Sequence, residues 1–419
     1  MTTSAARCRW GPTLVVAIGA AVLLAAAGLF LSRPDIAAVG LPLAIWSALV
    51  AGRDLRGSDA VVTLSALPGE DGQIATAIRA EGEADAVQLV VRLSQRRSRR
   101  LIIPASGEAV IARSRVLHSG PVNAVQASAR GFSGDGAVLS AASEPVVSAR
   151  SIAPSRRRLD AVPVPRRLTG LHGAHEGRRP GQGGDFRDIH PFAPGDELRR
   201  VDWRATARLA RRPGELLVRR TNTLSEASVV IAMDTAEDLG AAVASWGSGD
   251  FERSGVTSLD RARQAARSIA TTAIGVGDRV ALHVLVYGGR SVRSGGGARH
   301  LARLETAIAA VGQADEDSRF RRTPQVPHGS VIFVLSTFFE GAAAETALMW
   351  RASGHRVVAV DVLPDLDRSR LTKSQLIALR VVLAERENVF SDLRGAGVDV
   401  LVWSEAVEAD MRATLRTRR

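Results

Sequence analysis

Between Gly184 and Arg220 the chain sets acids and arginines at spacings that allow paired ionic contacts. The centre of this stretch reads Pro194-Gly195-Asp196-Glu197-Leu198-Arg199-Arg200-Val201-Asp202-Trp203-Arg204. The Pro-Gly pair predicts a turn, because proline presets φ and Gly195 accepts φ > 0. Arginine offers a planar fork of donors that a carboxylate accepts two at a time. Asp196 and Asp202 with Arg199, Arg204 and Arg208 are therefore expected to clamp a loop onto a domain. Leu198, Val201 and Trp203 alternate with these charges. Trp203 has two readings, an interface anchor of the hot-spot type or an apolar plug in the charged clamp; the alternation favours the core.

Other chemistry-bearing residues are sparse. His172, His175 and His190 share one loop-rich region with Glu176 and Asp188. His172-x-x-His175 falls among glycines, with no helix to align both rings on a zinc ion, so solvent-exposed loop histidines are the plain expectation. The glycines at 181–184 and 295–297 are not phosphate cradles, since a P-loop requires Gly-Lys-Ser/Thr at a helix start. The one lysine, Lys373, sits in Leu-Thr-Lys-Ser, which excludes ATP hydrolysis by that mechanism. No Gly-x-Ser-x-Gly elbow and no paired-carboxylate pattern occurs, so no residue is assigned a catalytic role.

The elements that would position these residues are legible in outline. Hydrophobic residues make up 46% of the 419, with mean hydropathy +0.05, which points to a membrane part. Thr13 to Leu31 is a 19-residue apolar run, roughly 28 Å long as a helix and close to the thickness of a bilayer core. A second run, Ile36 to Ala51, follows a short turn. Arg7 and Arg9 precede the first run, and Arg53 and Arg56 follow the second. The positive-inside rule therefore puts both ends, and the domains beyond, in the cytoplasm of a multi-pass membrane protein. A cleaved signal peptide is the alternative, disfavoured by the length of the first run and the second run directly behind it. The single cysteine, Cys8, excludes a disulfide framework.

Residues 57–152 carry short, often alternating β-branched segments between Gly, Pro and Ser, the pattern of a small all-β sandwich. Residues 153–222 form a basic segment; from Ser151 to Arg220 the chain holds 16 arginines against 8 acids, which is +8 of the net +12. Such charge is a solvated surface, or a contact with anionic lipid or an acidic partner. Nucleic-acid binding is disfavoured, because the arginine bias pervades the chain and aromatic residues amount to 4%. Residues 223–405 alternate strands and helices: strands at 227–234, 279–287, 330–336, 356–363 and 398–403, and helices over 259–274 (with Ser258 as its cap), near 301–311, over 341–352 and over 371–393. This argues for a mostly parallel sheet covered on both faces. A basic tail, 406–419, ends the chain.

The run G-x-F-x-x-I-x-x-F-x-P-G-D-x-x-R-x-V-D-W-x-A-x-A-R, from Gly184 to Arg208, resembles the signature of the bacterial family catalogued as domain of unknown function fifty-eight. In that family the signature precedes a von Willebrand A-like (Rossmann-like) α/β domain, and the resemblance covers about residues 160 to 405. It marks Gly195, Asp196, Arg199, Asp202, Trp203 and Arg208 as signature or interaction residues. It also implies a magnesium position at the strand ends, written D-x-S-x-S and completed by a threonine and an aspartate. Here the loop reads Asp234-Thr235-Ala236-Glu237-Asp238, with Thr337 after the later strand. Asp234, Asp238 and Thr337 are the oxygen ligands left to a Mg²⁺ ion, and Ala236 supplies none. The expectation is a degenerate site and no resident cofactor.

The resemblance further implies a MoxR-type AAA+ ATPase as partner. Together these readings describe a membrane-anchored, non-enzymatic adaptor, with a metal-dependent hydrolase as the alternative and an anionic-lipid or nucleic-acid binder as a weaker one.

Overall fold

A computed structural model describes residues 9–51, 60–69, 72–93, 98–165, 175–246, 254–286, 289–314 and 323–416. The chain splits into two compact units, Met1–Leu117 with Pro121–Ser151, and His118–Gly120 with Ile152–Arg419.

In the first unit a two-residue strand, β1 (Arg9–Trp10), leads into helices α1 (Pro12–Phe30) and α2 (Pro34–Ala51). Both are long and apolar enough to cross a membrane, with mean hydropathy 2.5 and 1.6 over their spans. They pack on each other through small residues: a Cβ on Gly28 would stand 2.7 Å from the Ala37 nitrogen, and one on Gly40 would stand 3.2 Å from Leu24. Such close approach gives apolar helices their packing energy where water does not drive association. Val15, Val16, Val22, Leu23, Leu29 and Phe30 point outward.

The strands β2 (Val61–Leu67), β3 (Gln73–Leu93), β4 (Arg99–Ser106), β5 (Val110–Arg115), β6 (Gly120–Phe132), β7 (Val138–Leu139) and β8 (Val146–Ile152) complete this unit. With β1 they form one hydrogen-bonded sheet of eight strands rather than two separate ones. The 21-residue β3 runs through two segments that the alternation separates. Its first half pairs with β2 and β5 and its second with β4 and β6, with a register shift between Glu81 and Ala86 on the β4 side. Ile78, Val87, Leu89, Ala124, Ala127 and Ala129 fill the core of this sheet.

The second unit holds a long antiparallel ribbon and a covered sheet. The ribbon pairs β9 (His175–Pro191) with β10 (Leu217–Ser225), and helix α3 (Trp203–Leu209) lies between them in sequence. A six-stranded sheet follows, built from β11 (Ser228–Met233), β12 (Arg279–Val284), β13 (Ser291–Gly295), β14 (Val331–Ser336), β15 (Arg356–Asp361) and β16 (Asp399–Val402). Its order is β13-β12-β11-β14-β15-β16, parallel except for the edge strand β13.

Every residue of β11, β14 and β15 is buried, as continuous apolar runs with helices on both faces require. On one face, α4 (Ser258–Gly275), α5 (Ala298–Ala309) and α8 (Val407–Arg416) meet Val229, Ile231 and Met233; on the other, α6 (Gly341–Ala352) and α7 (Lys373–Gly395) meet Val230 and Ala232. The cap expected at Ser258 falls one residue earlier, on Thr257, and Ser258 is the first helical residue. Thr257 accepts from the Asp260 N–H, and the Asp260 side chain accepts from the Thr257 N–H, closing a capping box. The tail read as 406–419 contributes α8, whose Val407 and Met411 join the core.

Candidate functional site

In a parallel sheet, the chain leaves each strand at its carboxyl end into a loop, so that edge gathers side chains from sequence-distant segments. Here Asp234 follows β11, Ser336 closes β14 with Thr337 directly after it, and Asp361 closes β15. The Ser336 hydroxyl donates to Asp234 Oδ2 at 2.6 Å, and Asp234 Oδ1 accepts from the Ala236 N–H at 3.1 Å. The Thr337 hydroxyl donates to Glu237 Oε2 at 2.7 Å. Burial raises both carboxyls above their ordinary range against the hydrogen bonds that favour their charged forms, and the nearby Glu340 charge adds to the rise. Arg386 reaches back from α7, donating to the Thr337 carbonyl and pairing with Asp361, with its guanidinium over the rings of Phe339 and Phe390.

Of the three oxygen ligands expected from sequence, Asp234 and Thr337 lie at neighbouring strand ends. Asp238 Oδ1 instead accepts from the Leu259 N–H at 3.1 Å, at the head of α4. Glu237, which sequence reasoning passed over, holds the carboxylate that Thr337 engages. A magnesium ion needs near-octahedral oxygen donors. As arranged, Ala236 has no donor atom and Asp238 is engaged at the head of α4, which leaves Asp234 and Thr337 of the three expected ligands together at the strand ends. Among the described residues no group of three or more His, Cys, Asp or Glu is placed to hold a metal ion.

The histidines separate. His172 lies outside the described residues. His175 Nε2 sits 2.9 Å from Oδ1 of the fully buried Asp278, and Asp278 also accepts from the Ala227 N–H at 2.8 Å. The expected exposed loop histidine is therefore a tether between the start of β9 and the turn before β12. His190 Nδ1 bonds the Pro191 carbonyl. A further trio has the order of a nucleophilic relay: Ser254 Oγ is 3.5 Å from His118 Nε2, and His118 Nδ1 is 2.7 Å from Asp260 Oδ2. Its chemistry is structural. Asp260 is committed to the Thr257 capping box and to the Ser119 N–H and hydroxyl, and Ser254 is 5% exposed.

The signature residues make a second cluster, with partners other than those expected. Gly195 takes φ +98°, as the turn requires. Asp196 accepts from the Ala193 N–H at 2.9 Å and pairs with Arg220 at 3.4 Å, which hold its carboxyl below the usual range. Arg199 bonds Glu197, and Asp202 caps α3 by accepting from the Ala205 N–H at 2.9 Å. Arg204 and Arg208 are exposed on α3. The expected plug is not one: Trp203 is 67% exposed and Leu198 66%, while Val201 and Ala205 turn inward. Arg199, Arg200, Val201, Asp202, Trp203, Arg219 and Thr221 line an open groove of about 740 Å³.

No curated protein matches the chain. Residues 188–381, running from the end of β9 through the strand-end cluster into α7, match the family described as Protein of unknown function DUF58, which supports the family resemblance carried by the signature segment.

Proposed function

We propose that the chain is a membrane-anchored, cytoplasm-facing adaptor whose von Willebrand A-like domain binds other proteins, working with a MoxR-type AAA+ ATPase in complex assembly or chaperone activity. The observation that carries this reading is the division of labour in the second unit. The strand ends, where an α/β enzyme would keep reactive groups, hold polar side chains that mainly bond one another. The exposed apolar and cationic side chains gather on the signature segment instead. Strand order with a single antiparallel edge beside the second strand supports the A-like assignment. Two apolar helices support the anchor, and the arginines flanking them support the cytoplasmic orientation. Capture with the tagged full chain from detergent-solubilised membranes tests the partnership. An AAA+ ATPase in the eluate is the expected result, and repeated capture without one counts against the reading.

A second reading, a metal-dependent hydrolase, is favoured by one observation: Asp234 and Glu237 are partly buried carboxyls whose charged forms are penalised by desolvation and by Glu340. Calorimetric titration of the full chain with Mg²⁺, repeated on Asp234→Ala, decides it. Tight binding in the first, lost in the second and accompanied by turnover, would replace the adaptor reading.

A further inference from the structure

We infer that the groove beside Trp203 is a docking site for an acidic segment of a partner protein that carries an apolar side chain among its carboxylates. The inference rests on the adaptor reading and names the surface and the chemistry of what it binds.

The groove is cationic by arithmetic of its own contacts. Three of its lining residues are arginines, and its one acid, Asp202, spends a carboxylate oxygen on the head of α3. Arg199 and Arg200 both approach Glu197, at 2.5 and 3.5 Å. Arg219 lies with its guanidinium 5.3 Å from the centre of the Phe186 ring, which holds the fork in place on the ribbon. The cations thus stand on β10 and on the turn before α3 rather than on free tails, and less ordering is lost when they bind.

The apolar half is as definite. Trp203 exposes two thirds of its surface in the groove wall, and Leu198 and Leu209 of the same segment are also exposed. Solitary exposed apolar residues need no explanation, but Trp with Arg is the pair enriched where binding energy concentrates. Successive bases of a single strand would stack on several aromatics, and the groove lining offers one. An anionic lipid surface needs exposed charge but no concave wall beside an indole. A carboxylate-rich peptide with a leucine or aromatic residue uses both halves together, forks to carboxylates and indole to the apolar side chain.

The test uses the full chain in detergent and a labelled twelve-residue peptide of alternating Glu and Asp with a central Leu. Its controls are the Gln/Asn version of the peptide, a labelled fifteen-residue oligothymidine and vesicles containing anionic lipid. Saturable peptide binding is expected, weakened at least tenfold by Trp203→Ala and by Arg219→Gln, with the neutral peptide bound at least tenfold more weakly. Melting curves of both variants should match the wild-type chain. Peptide binding unchanged in both variants, or oligothymidine or vesicles bound where the peptide is not, would overturn the assignment. Capture separates it from the adaptor reading: an ATPase retained by Trp203→Ala sinks the groove and leaves the adaptor standing. A wild-type chain that binds the peptide but captures no ATPase sustains the groove and sinks the MoxR partnership.

Discussion

The Ser336 hydroxyl donates to the Asp234 carboxylate at 2.6 Å, tying the carboxyl end of β14 to that of β11, its central neighbour. That bond does not fully offset the removal of Asp234 from water, and the carboxyl is left above its ordinary range by burial. Glu237, bonded to Thr337 one residue further on, is in the same state. The two strand ends therefore carry a pH signature opposite to that of an ordinary surface acid.

Below about pH 4 the folded and unfolded chains both hold these carboxyls protonated, and the contribution of the pair to stability is fully present. As pH rises, the unfolded chain ionises first, and the contribution is lost as pH climbs through the raised folded values. Asp234→Asn and Glu237→Gln remove the charge and keep the shape. Each should melt higher than the wild-type chain, by a margin that is smallest at acid pH and grows as pH rises above about 4. A margin that shrinks with rising pH would mean that the charged forms are the favoured ones. Asp260 should behave in the reverse sense. Burial opposes its charge, but hydrogen bonds from His118 and Ser119 hold it below the usual range. Its contribution is present above about pH 4 and is lost as pH falls through the depressed value.

Asp278 is a fully buried carboxylate with a defined task, and its loss should cost more than that of Asp234 or Glu237. Asp278→Ala leaves the Ala227 N–H without its acceptor at the entry to β11 and frees His175. Unsatisfied buried groups of this kind cost about 1–3 kcal/mol each. Thermal denaturation should show a loss of about 3 kcal/mol for Asp278→Ala. His175→Ala removes one partner from a residue that stays bonded to Ala227, and should cost about 1 kcal/mol. Equal losses would place the value of the contact in the histidine.

How far the sequence led depended on whether the signal was local. The runs of β11, β14 and β15 are apolar throughout, and continuous burial follows from that composition. The strand β9 was not legible, because glycines and arginines from 178 to 184 carry no alternation. Its backbone is extended by pairing with β10, a partner some forty residues on that no local pattern names. The edge strand β13 is five residues with partly exposed side chains and lacks an apolar face. Trp203 was misplaced by a period-two argument applied to a segment that turns into a helix. Val201, before the helix, and Ala205, within it, turn inward, and Trp203, the first helical residue, faces outward. At the strand ends the loop Asp234 to Asp238 was found, but the acid that Thr337 engages was not. Arg386 lies too far along the chain for any spacing rule to bring it in.

The capping box on α4 makes a smaller but sharper prediction. Thr257 is buried, and its side chain accepts from the Asp260 N–H while Asp260 returns the bond. Thr257→Ala should cost about 1–2 kcal/mol, and Thr257→Ser, which keeps the hydroxyl, should recover most of it. Ser258→Ala tests the alternative cap. Its hydroxyl accepts from the Leu239 N–H rather than from the helix, so its effect should reach the loop after β11 without fraying the first turn of α4. Amide exchange at Asp260 and Arg261 separates the two, and rapid exchange there is expected in Thr257→Ala alone.

Two tryptophans of the second unit, alike in size, should respond to removal in opposite ways. Trp403 is 1% exposed at the end of β16, where its indole N–H donates to Gln264 Oε1 at 3.0 Å and its ring sits in the core beside Leu401 and Met411. Trp403→Ala empties that volume and should cost about 3–5 kcal/mol, enough to lower the yield of folded chain. Trp203→Ala removes a ring that already faces water, so its stability should change by no more than about 0.5 kcal/mol. Chemical denaturation of both variants measures the contrast. A large loss at Trp203 would mean that the ring supports α3 and the ribbon. Neutrality there leaves solvent-exposed indole surface that the fold itself does not use.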